Sequence, residues 1–226
     1  MITRDSATQA ALEVIDGEGL EALSLELVAR RLGVKAPSLY YHFKDKAELL
    51  SEVARFIMLD LELPGGGEAT SWEEAMVTIC VATRHALLKH ANAAPLFLQF
   101  FPRHLMLAAY DRWIATSPFP PEVRMVLLEG TEKLTYASAL FEAAARSRGV
   151  PAMPSFDAAR LPHLARAIAA NPYDADGVFE QTIRTYLRGF RNGEDAEGSP
   201  AEDLPGASAG RLRVRVKALR EPDPAD

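Results

Sequence analysis

The chain has 226 residues, 48% of them hydrophobic and 25% charged, enough for one medium domain or a small domain fused to a larger one. A net charge of −6 excludes a globally basic nucleic-acid coat protein but allows a local basic patch. A single cysteine, Cys80, excludes an intrachain disulfide, and without a secretory leader or an apolar run of about 20 residues we expect a cytoplasmic protein with no membrane partner.

The apolar residues of the first half recur at helical spacing, and capping or turn residues separate four predicted helices. Ser24 and Asp45 are good N-cap residues for the second and fourth helices, and Gly33 ends the second in a tight turn. A proline and glycine break at 63–67 follows the fourth helix. The predicted spans are Asp5–Asp16, Ser24–Gly33, Ala36–Phe43 and Asp45–Leu61.

The second half is also helical, with prolines between its segments, and it contains no internal repeat. The predicted spans are Ser71–His90, Pro95–Phe101, Arg103–Ala115, Glu122–Arg148, Asp157–Ala170 and Ala175–Arg191. Residues 193–226 are rich in glycine, proline and charge, so we expect most of this stretch to be a flexible tail. Within it, Arg211–Val216 alternates basic and apolar residues, which fits either a short strand or a solvated basic stretch.

The second and third predicted helices are short and are joined by a glycine turn, which is helix-turn-helix geometry. A recognition helix presents polar or small side chains to base edges and keeps its other face apolar. Between Arg30 and Lys46 there are five basic residues and one acidic residue, a local net charge of +4 that suits phosphate contact. We expect outward positions for Lys35, Ala36, Ser38 and Tyr41, and inward positions for Leu39, Tyr40 and Phe43.

This segment resembles the TetR family of transcriptional regulators. The matching residues are Leu32-Gly33-Val34, then Pro37-Ser38-Leu39-Tyr40-Tyr41-His42-Phe43, then Lys46-x-Glu48-Leu49-Leu50. The resemblance implies that Lys35 and Ala36 read bases, that Ser38, Tyr41, His42 and Lys46 hold phosphates, and that Tyr40 contacts a base methyl or a phosphate. Glu26 departs from the family pattern, which often has a hydroxyl or basic residue there. Because its charge repels phosphate, we expect no DNA anchor at Glu26.

The resemblance also implies a cavity between the later helices for a small, mostly apolar effector. Such pockets place a few polar groups among apolar walls. The sequence shows no metal-ligand spacing, no phosphate loop and no nucleophile elbow, so we expect no metal, cofactor or catalytic residue. The predicted ligand-binding residues are Phe97, Phe101, Trp113 and Tyr136 as apolar walls, with Arg103 and His104 as polar groups.

Two helices carry broad apolar stripes that a monomer of this size would struggle to bury. The resemblance implies that these helices pair with their copies as a four-helix bundle. The predicted dimer residues are Leu134 and Phe141 on the long helix, and Phe179, Ile183, Tyr186, Leu187 and Phe190 on the last helix.

These features predict an all-α protein: an N-terminal three-helix helix-turn-helix DNA-binding domain at 1–45, a helical ligand-binding and dimerisation domain at 46–192, and the tail at 193–226. The leading hypothesis is a non-enzymatic regulator, a repressor, that binds palindromic operator DNA as a homodimer and is released by the small apolar effector. One alternative is a constitutive DNA-binding protein without an effector. The other is an enzyme with a vestigial DNA-binding domain.

Overall fold

A computed structural model describes residues 2–63, 68–151, 153–196 and 212–213 of the chain. The described part is helical, apart from one short antiparallel pairing of β1 (Glu68–Ala69) with β2 (Leu212–Arg213). The α-helices are α1 (Arg4–Glu18), α2 (Leu25–Arg31), α3 (Ala36–Tyr40), α4 (Lys46–Leu59), α5 (Trp72–Lys89), α6 (Arg103–Ala115), α7 (Pro121–Arg148), α8 (Pro162–Ala170) and α9 (Ala175–Ala196). The predicted all-α class is confirmed.

The predicted caps fix where the helices begin. The side chain of Ser24 accepts a hydrogen bond from the amide of Leu27, and Asp45 accepts one from Glu48. Ser71 does the same for α5. Each cap satisfies an amide that the first helical turn leaves without a partner. Between α2 and α3 the chain turns at Gly33, whose φ of +68° favours glycine.

Two predicted helices differ from the observed ones. Residues 94–98 form a short 3-10 helix instead of the predicted α-helix at 95–101. The helix predicted from Asp157 begins only at Pro162, because proline lacks an amide hydrogen and fits the first helical position best. The carbonyl of Asp157 instead closes a turn by accepting hydrogen bonds from the amides of Arg160 and Leu161.

The prediction of a flexible tail from residue 193 is wrong at two places. The last helix, α9, continues to Ala196, and Leu212–Arg213 pairs with Glu68–Ala69. The pairing satisfies backbone groups of both segments, so the strand alternative holds for these two residues of the 211–216 stretch. The remainder of the predicted tail lies outside the described residues.

One apolar core joins the first four helices. Leu12 and Ile15 of α1, Leu39 of α3, and Leu49 and Val53 of α4 are all buried in it. This core continues into α5, the 3-10 helix and α7 through residues such as Leu87, Leu96 and Ala139. The apolar packing is therefore continuous across residues 45–46, where the sequence predicts a domain boundary.

A second core lies between α5, α7 and α9. Phe179, Ile183 and Leu187 are buried in it against Trp72 and Met76. The prediction that these three α9 residues face a second copy is therefore wrong, because helices of the same chain already cover them.

Arg84 of α5 is the largest fully buried side chain of the described residues. Its guanidinium donates to Ser138 Oγ of α7 at 3.1 Å and pairs with Asp176 of α9. It also lies 5.3 Å from the centre of the Phe179 ring. One buried cation thus links three helices, and its hydrogen bonds offset the cost of burying the charge.

Candidate nucleic-acid interface and internal cavity

The third helix has one face in the core and one in solvent. Leu39 and Phe43 are buried against α1, α2 and α4, while Lys35, Ser38 and Tyr41 are exposed as expected. Ala36, expected to point outward, is half-buried and packs against the same core. Side chains about 100° apart on so short a helix cannot all point inward. Leu39 within α3 and Phe43 just after it therefore hold the segment in place, and its polar side chains face solvent.

Tyr40 does not pack inward as predicted. Its side chain is 49% exposed, because Leu39 and Phe43 already fill the inner face of the segment. The Tyr40 hydroxyl donates a hydrogen bond to Glu26 Oε1 of α2 at 3.3 Å. The contact role that the resemblance implies for Tyr40 needs this outward position, and it stays a prediction.

Glu26 and Tyr40 form a pair with defined charge. A hydrogen bond from its own backbone amide, helped by Ser24 and Tyr40, lowers the pKa of Glu26. The negative charge of Glu26 in turn raises the pKa of Tyr40. At neutral pH the recognition surface therefore carries a carboxylate and a protonated phenol side by side.

Arg4, at the start of α1, anchors the turn between α3 and α4. Its guanidinium donates to the His42 carbonyl and to Glu48 Oε1, the latter at 3.0 Å, and lies 4.4 Å from the centre of the Phe43 ring. Sequence reasoning missed this role, because 38 residues separate Arg4 from His42 and no local pattern links them.

The turn itself is fixed by a reciprocal cap. The Glu48 amide donates to Asp45 Oδ1 at 2.8 Å, and Glu48 Oε2 accepts from the Lys44 amide at 2.8 Å. This backbone hydrogen bond, together with Arg4, lowers the pKa of Glu48. The cap places Lys46 in the first turn of α4, close in sequence to the half-buried His42, whose ring lies edge-on to Tyr41.

A cavity of about 70 Å³ lies between α4, α5, α6 and α7. Its walls are mainly apolar and include three methionines, which adapt readily to different shapes. The lining residues are Met58, Met76, Ile79, Cys80, Thr83, Met106, Tyr110, Trp113, Leu128, Thr131, Glu132, Thr135 and Tyr136.

The charged residue of this lining is Glu132. Its Oε2 accepts a hydrogen bond from the Tyr110 hydroxyl, and its Oε1 lies 2.5 Å from Arg103 Nη2. Burial, and then the hydrogen bond to Glu132, raises the pKa of Tyr110, so the phenol stays protonated and donates. The cavity therefore has one polar corner in an otherwise apolar wall.

The structure separates the predicted ligand residues into two groups. Trp113 and Tyr136 line the cavity, whereas Phe97 and Phe101 are outside the lining and pack against the Tyr136 ring at 5.8 and 4.8 Å between centres. Arg103 reaches Glu132 but is not part of the lining. The remaining predicted polar group, His104, is exposed on α6 and also lies outside the lining.

Sequence reasoning missed Tyr110, Glu132 and Met58 as cavity residues. The available signal was weak: Glu132 is a carboxylate one helical turn from both Leu128 and Tyr136 on α7. A carboxylate beside large apolar groups marks a buried polar site only when the partner helices are known.

The connecting helix α4 forms part of the cavity wall. The Tyr136 hydroxyl lies 3.3 Å from the Met58 sulfur, so a side chain of α7 touches one near the end of α4. A change in the shape of the cavity can therefore act on the helix that ends the N-terminal core.

Cys80 has a structural place in the cavity wall. Burial raises the pKa of its thiol to about 11, so it is a packing group rather than a nucleophile at neutral pH. No group of His, Cys, Asp and Glu side chains among the described residues is arranged to hold a metal ion. None of the helices in the described part of the chain combines the length and the hydropathy of a transmembrane span.

Several large apolar side chains remain exposed on α7 and α9. Phe141 is 80% exposed, and Met125, Val126 and Val178 are also exposed. The predicted dimer residues Leu134, Tyr186 and Phe190 are half-buried, since they pack against the second core. Tyr186 also donates to the Val126 carbonyl at 2.7 Å and lies close to Gly130. Phe141 is thus the predicted dimer residue most available to another molecule.

Residues 7–53 match the family model described as bacterial regulatory proteins, tetR family. Over 199 residues the chain is 27% identical to the tetracycline repressor protein class D of Escherichia coli, covering 84% of this chain and 89% of that protein.

Two solved structures share the fold. One is the TetR family protein ActR of Streptomyces coelicolor in complex with actinorhodin, with a TM-score of 0.66, 23% identity, and coverage of 85% of this chain and 98% of that one. The other is a TetR variant from Acinetobacter baumannii AYE in complex with minocycline, with a TM-score of 0.66, 20% identity, and coverage of 90% and 100%.

Proposed function

Since the chain belongs to the TetR family of bacterial transcriptional regulators, we propose that it is a repressor that binds palindromic operator DNA as a homodimer and is released by a small, mostly apolar effector. Members of the family are regulators rather than enzymes. The observation that carries the proposal is the solvent-facing side of α3, where Lys35, Ser38, Tyr40 and Tyr41 are exposed on a helix locked by Leu39 and Phe43.

The proposed DNA-binding residues are Lys35, Ala36, Ser38, Tyr40, Tyr41, His42 and Lys46. In this proposal Lys35 and Ala36 meet base edges at the start of the recognition helix, where helix-turn-helix proteins read sequence. Lys46 and the polar groups around it meet phosphates, which fix the register on the duplex.

Release by an effector needs a link between the cavity and the recognition helix. The contact between Tyr136 and Met58 supports such a link, because α4 belongs to both the cavity wall and the N-terminal core. A dimeric reader needs its two recognition helices about one DNA turn apart, ~34–36 Å. An effector that binds a more splayed state more tightly draws the dimer off the operator.

Ligand complexes of the similar proteins support the effector. ActR binds actinorhodin and the Acinetobacter TetR variant binds minocycline.

The alternative, a constitutive DNA-binding protein, is favoured by the small size of the cavity. Its volume of about 70 Å³ is below the roughly 150 Å³ of an engineered cavity that holds benzene. Saturable binding of a small ligand, with loss of DNA affinity, decides between the two.

Selection from a pool of randomised duplexes is a direct test of DNA recognition, because the pool contains every candidate half-site. We expect the wild-type protein to enrich a palindrome. Lys46→Ala should weaken binding to all duplexes and flatten the salt dependence by about one unit, since one phosphate contact is lost. Lys35→Ala should instead change which half-site is enriched.

Lys133→Ala is the matched control, because this exposed lysine lies on α7, far along the chain from the recognition helix, and pairs with Glu129. It should leave both measurements unchanged. Failure of the wild-type protein to enrich any palindrome contradicts the proposed function.

A further inference from the structure

Glu132 is the only charged residue among the described residues that line the cavity. Its side chain is 14% exposed and lies among methionine, tryptophan and leucine walls. A carboxylate in such surroundings is costly to keep ionised unless charged or hydrogen-bonding groups compensate it. The compensation present here comes from Tyr110 within the cavity lining and from Arg103 outside it.

We propose that the effector of this protein is an amphipathic amine: one protonated amino group is bound by Glu132, and an apolar ring body enlarges the cavity by displacing the adaptable methionine side chains of its wall. The inference rests on the proposed effector response, and it names the chemical class of the ligand. The apolar walls select the ring, and the single carboxylate selects the charge.

The carboxylate has capacity for this third partner. Two oxygens together offer about four acceptor directions, and Arg103 and Tyr110 use two of them. A ligand ammonium can therefore bind without displacing Arg103. Hydrogen bonds between ionised partners are roughly twice as strong as neutral ones, so a cation is preferred over an alcohol of the same shape. A ligand carboxylate is repelled.

The position of Arg103 distinguishes a ligand site from a simple ion pair. The Arg103 side chain is 54% exposed, and it also stacks near the Phe101 ring, outside the cavity lining. Water screens its charge more than it screens Glu132. The negative carboxylate of Glu132 therefore faces the cavity, whereas the positive guanidinium of Arg103 faces solvent.

The amine site is also placed to act on α4. Glu132 lies one helical turn before Tyr136, whose hydroxyl touches Met58. An ammonium at Glu132 brings its ring against Tyr136 or the neighbouring methionines. Occupancy of the polar corner and displacement of Met58 are therefore linked.

The test uses three probes that share one ring and differ in charge: benzylamine, benzyl alcohol and benzoate. Calorimetric titration of the full-length protein gives each Kd. We expect benzylamine to bind about tenfold more tightly than benzyl alcohol, and benzoate to bind least. Equal binding of the amine and the alcohol overturns the proposal, as does the absence of saturable amine binding.

Two variants should change amine binding in opposite directions. Glu132→Gln should remove the preference for the amine, whereas Arg103→Gln should strengthen amine binding about threefold, because a competing positive charge is lost. Glu142→Gln is the control, since Glu142 lies on the same helix, pairs with Arg146 and is outside the lining. An amine preference that persists in Glu132→Gln contradicts the proposal.

If Glu132→Gln does not fold, the exposed Arg103→Gln variant decides alone: weaker or unchanged amine binding overturns the inference. DNA selection with the same wild-type preparation separates this outcome from the proposed function. A protein that enriches a palindrome but shows no amine preference keeps its DNA role and loses only the amine.

Discussion

The N-terminal head (α1–α4) and the cavity domain (α5–α9, with Met58 of α4 completing the cavity wall) carry their candidate functional groups in opposite ways. The head presents side chains outward from 12 consecutive residues, 35–46. The cavity gathers its lining from residues 58 to 136 on four helices and turns them inward. A surface built from one short segment is readable from local sequence, whereas a cavity exists only once helices have packed. Variants in both regions test how far this contrast holds.

The largest expected effect separates core from contact surface within the cavity domain. Ile183→Asp should unfold the protein or lower its free energy of unfolding by about 4 kcal/mol or more, because it puts a charge into the α5–α7–α9 core. Phe141→Asp should leave the melting temperature nearly unchanged and weaken self-association, because Phe141 is exposed.

Thermal melts and light scattering on both variants provide the measurement. A folded, monomeric Ile183→Asp protein would show that α9 forms the contact surface after all. A Phe141→Asp variant that associates like the wild type would remove Phe141 from that surface.

The second experiment tests whether the recognition surface of the head depends on contacts with residues distant in sequence. Arg4→Ala removes a long-range anchor of the α3–α4 turn, and we expect a loss of about 1 kcal/mol in stability. If the lost order carries through to the recognition surface, DNA affinity falls roughly fivefold. Arg146→Ala, which removes a surface ion pair on α7, is the control. Equal DNA affinity of the two variants would show that α3 holds its position without Arg4.

A smaller effect is expected at Glu26, the negative charge of the reading surface. Glu26→Gln should tighten binding to all duplexes about threefold at low salt, because phosphates no longer meet this carboxylate. Glu13→Gln, on the exposed side of α1, is the control. Weaker binding by Glu26→Gln would mean that the carboxylate holds Tyr40 in place or contacts a base.

The smallest expected effect concerns an ion pair between two helices of the cavity domain, α5 and α9. Arg184 of α9 binds both oxygens of Glu74 at 2.7 and 2.9 Å, and its hydrogen bonds lower the pKa of Glu74 below the ordinary 4.5. A lowered carboxyl pKa stabilises the folded state above pH 4.5, and this contribution is lost as the pH falls through the lower folded value.

Glu74→Gln should therefore be less stable than the wild type at pH 7 by a few tenths of a kcal/mol, since the pair is partly exposed. Thermal melts between pH 3 and pH 7 should show the difference disappear at the acidic end. A difference that is constant with pH would assign the effect to packing rather than charge.

The sequence predicted most of the helices, their caps and the inward side chains next to the recognition helix, because each of these depends on residues a few positions apart. Ser24, Asp45 and Ser71 cap as expected, and Leu39 and Phe43 turn inward as expected. The resemblance on residues 32–50 led to the same surface. The spacing of Tyr40 also suits a core, and only the buried neighbours settle its direction.

The apolar stripe of α9 shows where local pattern fails. Periodicity establishes that Phe179 and Ile183 share a buried face, but it does not say whether the covering helix belongs to the same chain. The polar corner of the cavity could not be predicted from local sequence for the same reason. Tyr110 and Glu132 are 22 residues apart on two helices, and their hydrogen bond depends on how those helices pack.

The buried Arg84 has a consequence for how the chain is assembled during synthesis. Its ionic partner, Asp176, emerges from the ribosome 92 residues later, after the whole of α7. Until then Arg84 lacks this carboxylate, and we expect its guanidinium to favour water over burial between α5 and α7. Docking of α9 brings Asp176 to Arg84 and removes the cost of burying an unpaired guanidinium. We therefore expect α5 and α7 to pack fully only after α9 has docked. A nascent chain arrested before residue 176 should remain sensitive to protease in α5, whereas one released after α9 should become resistant.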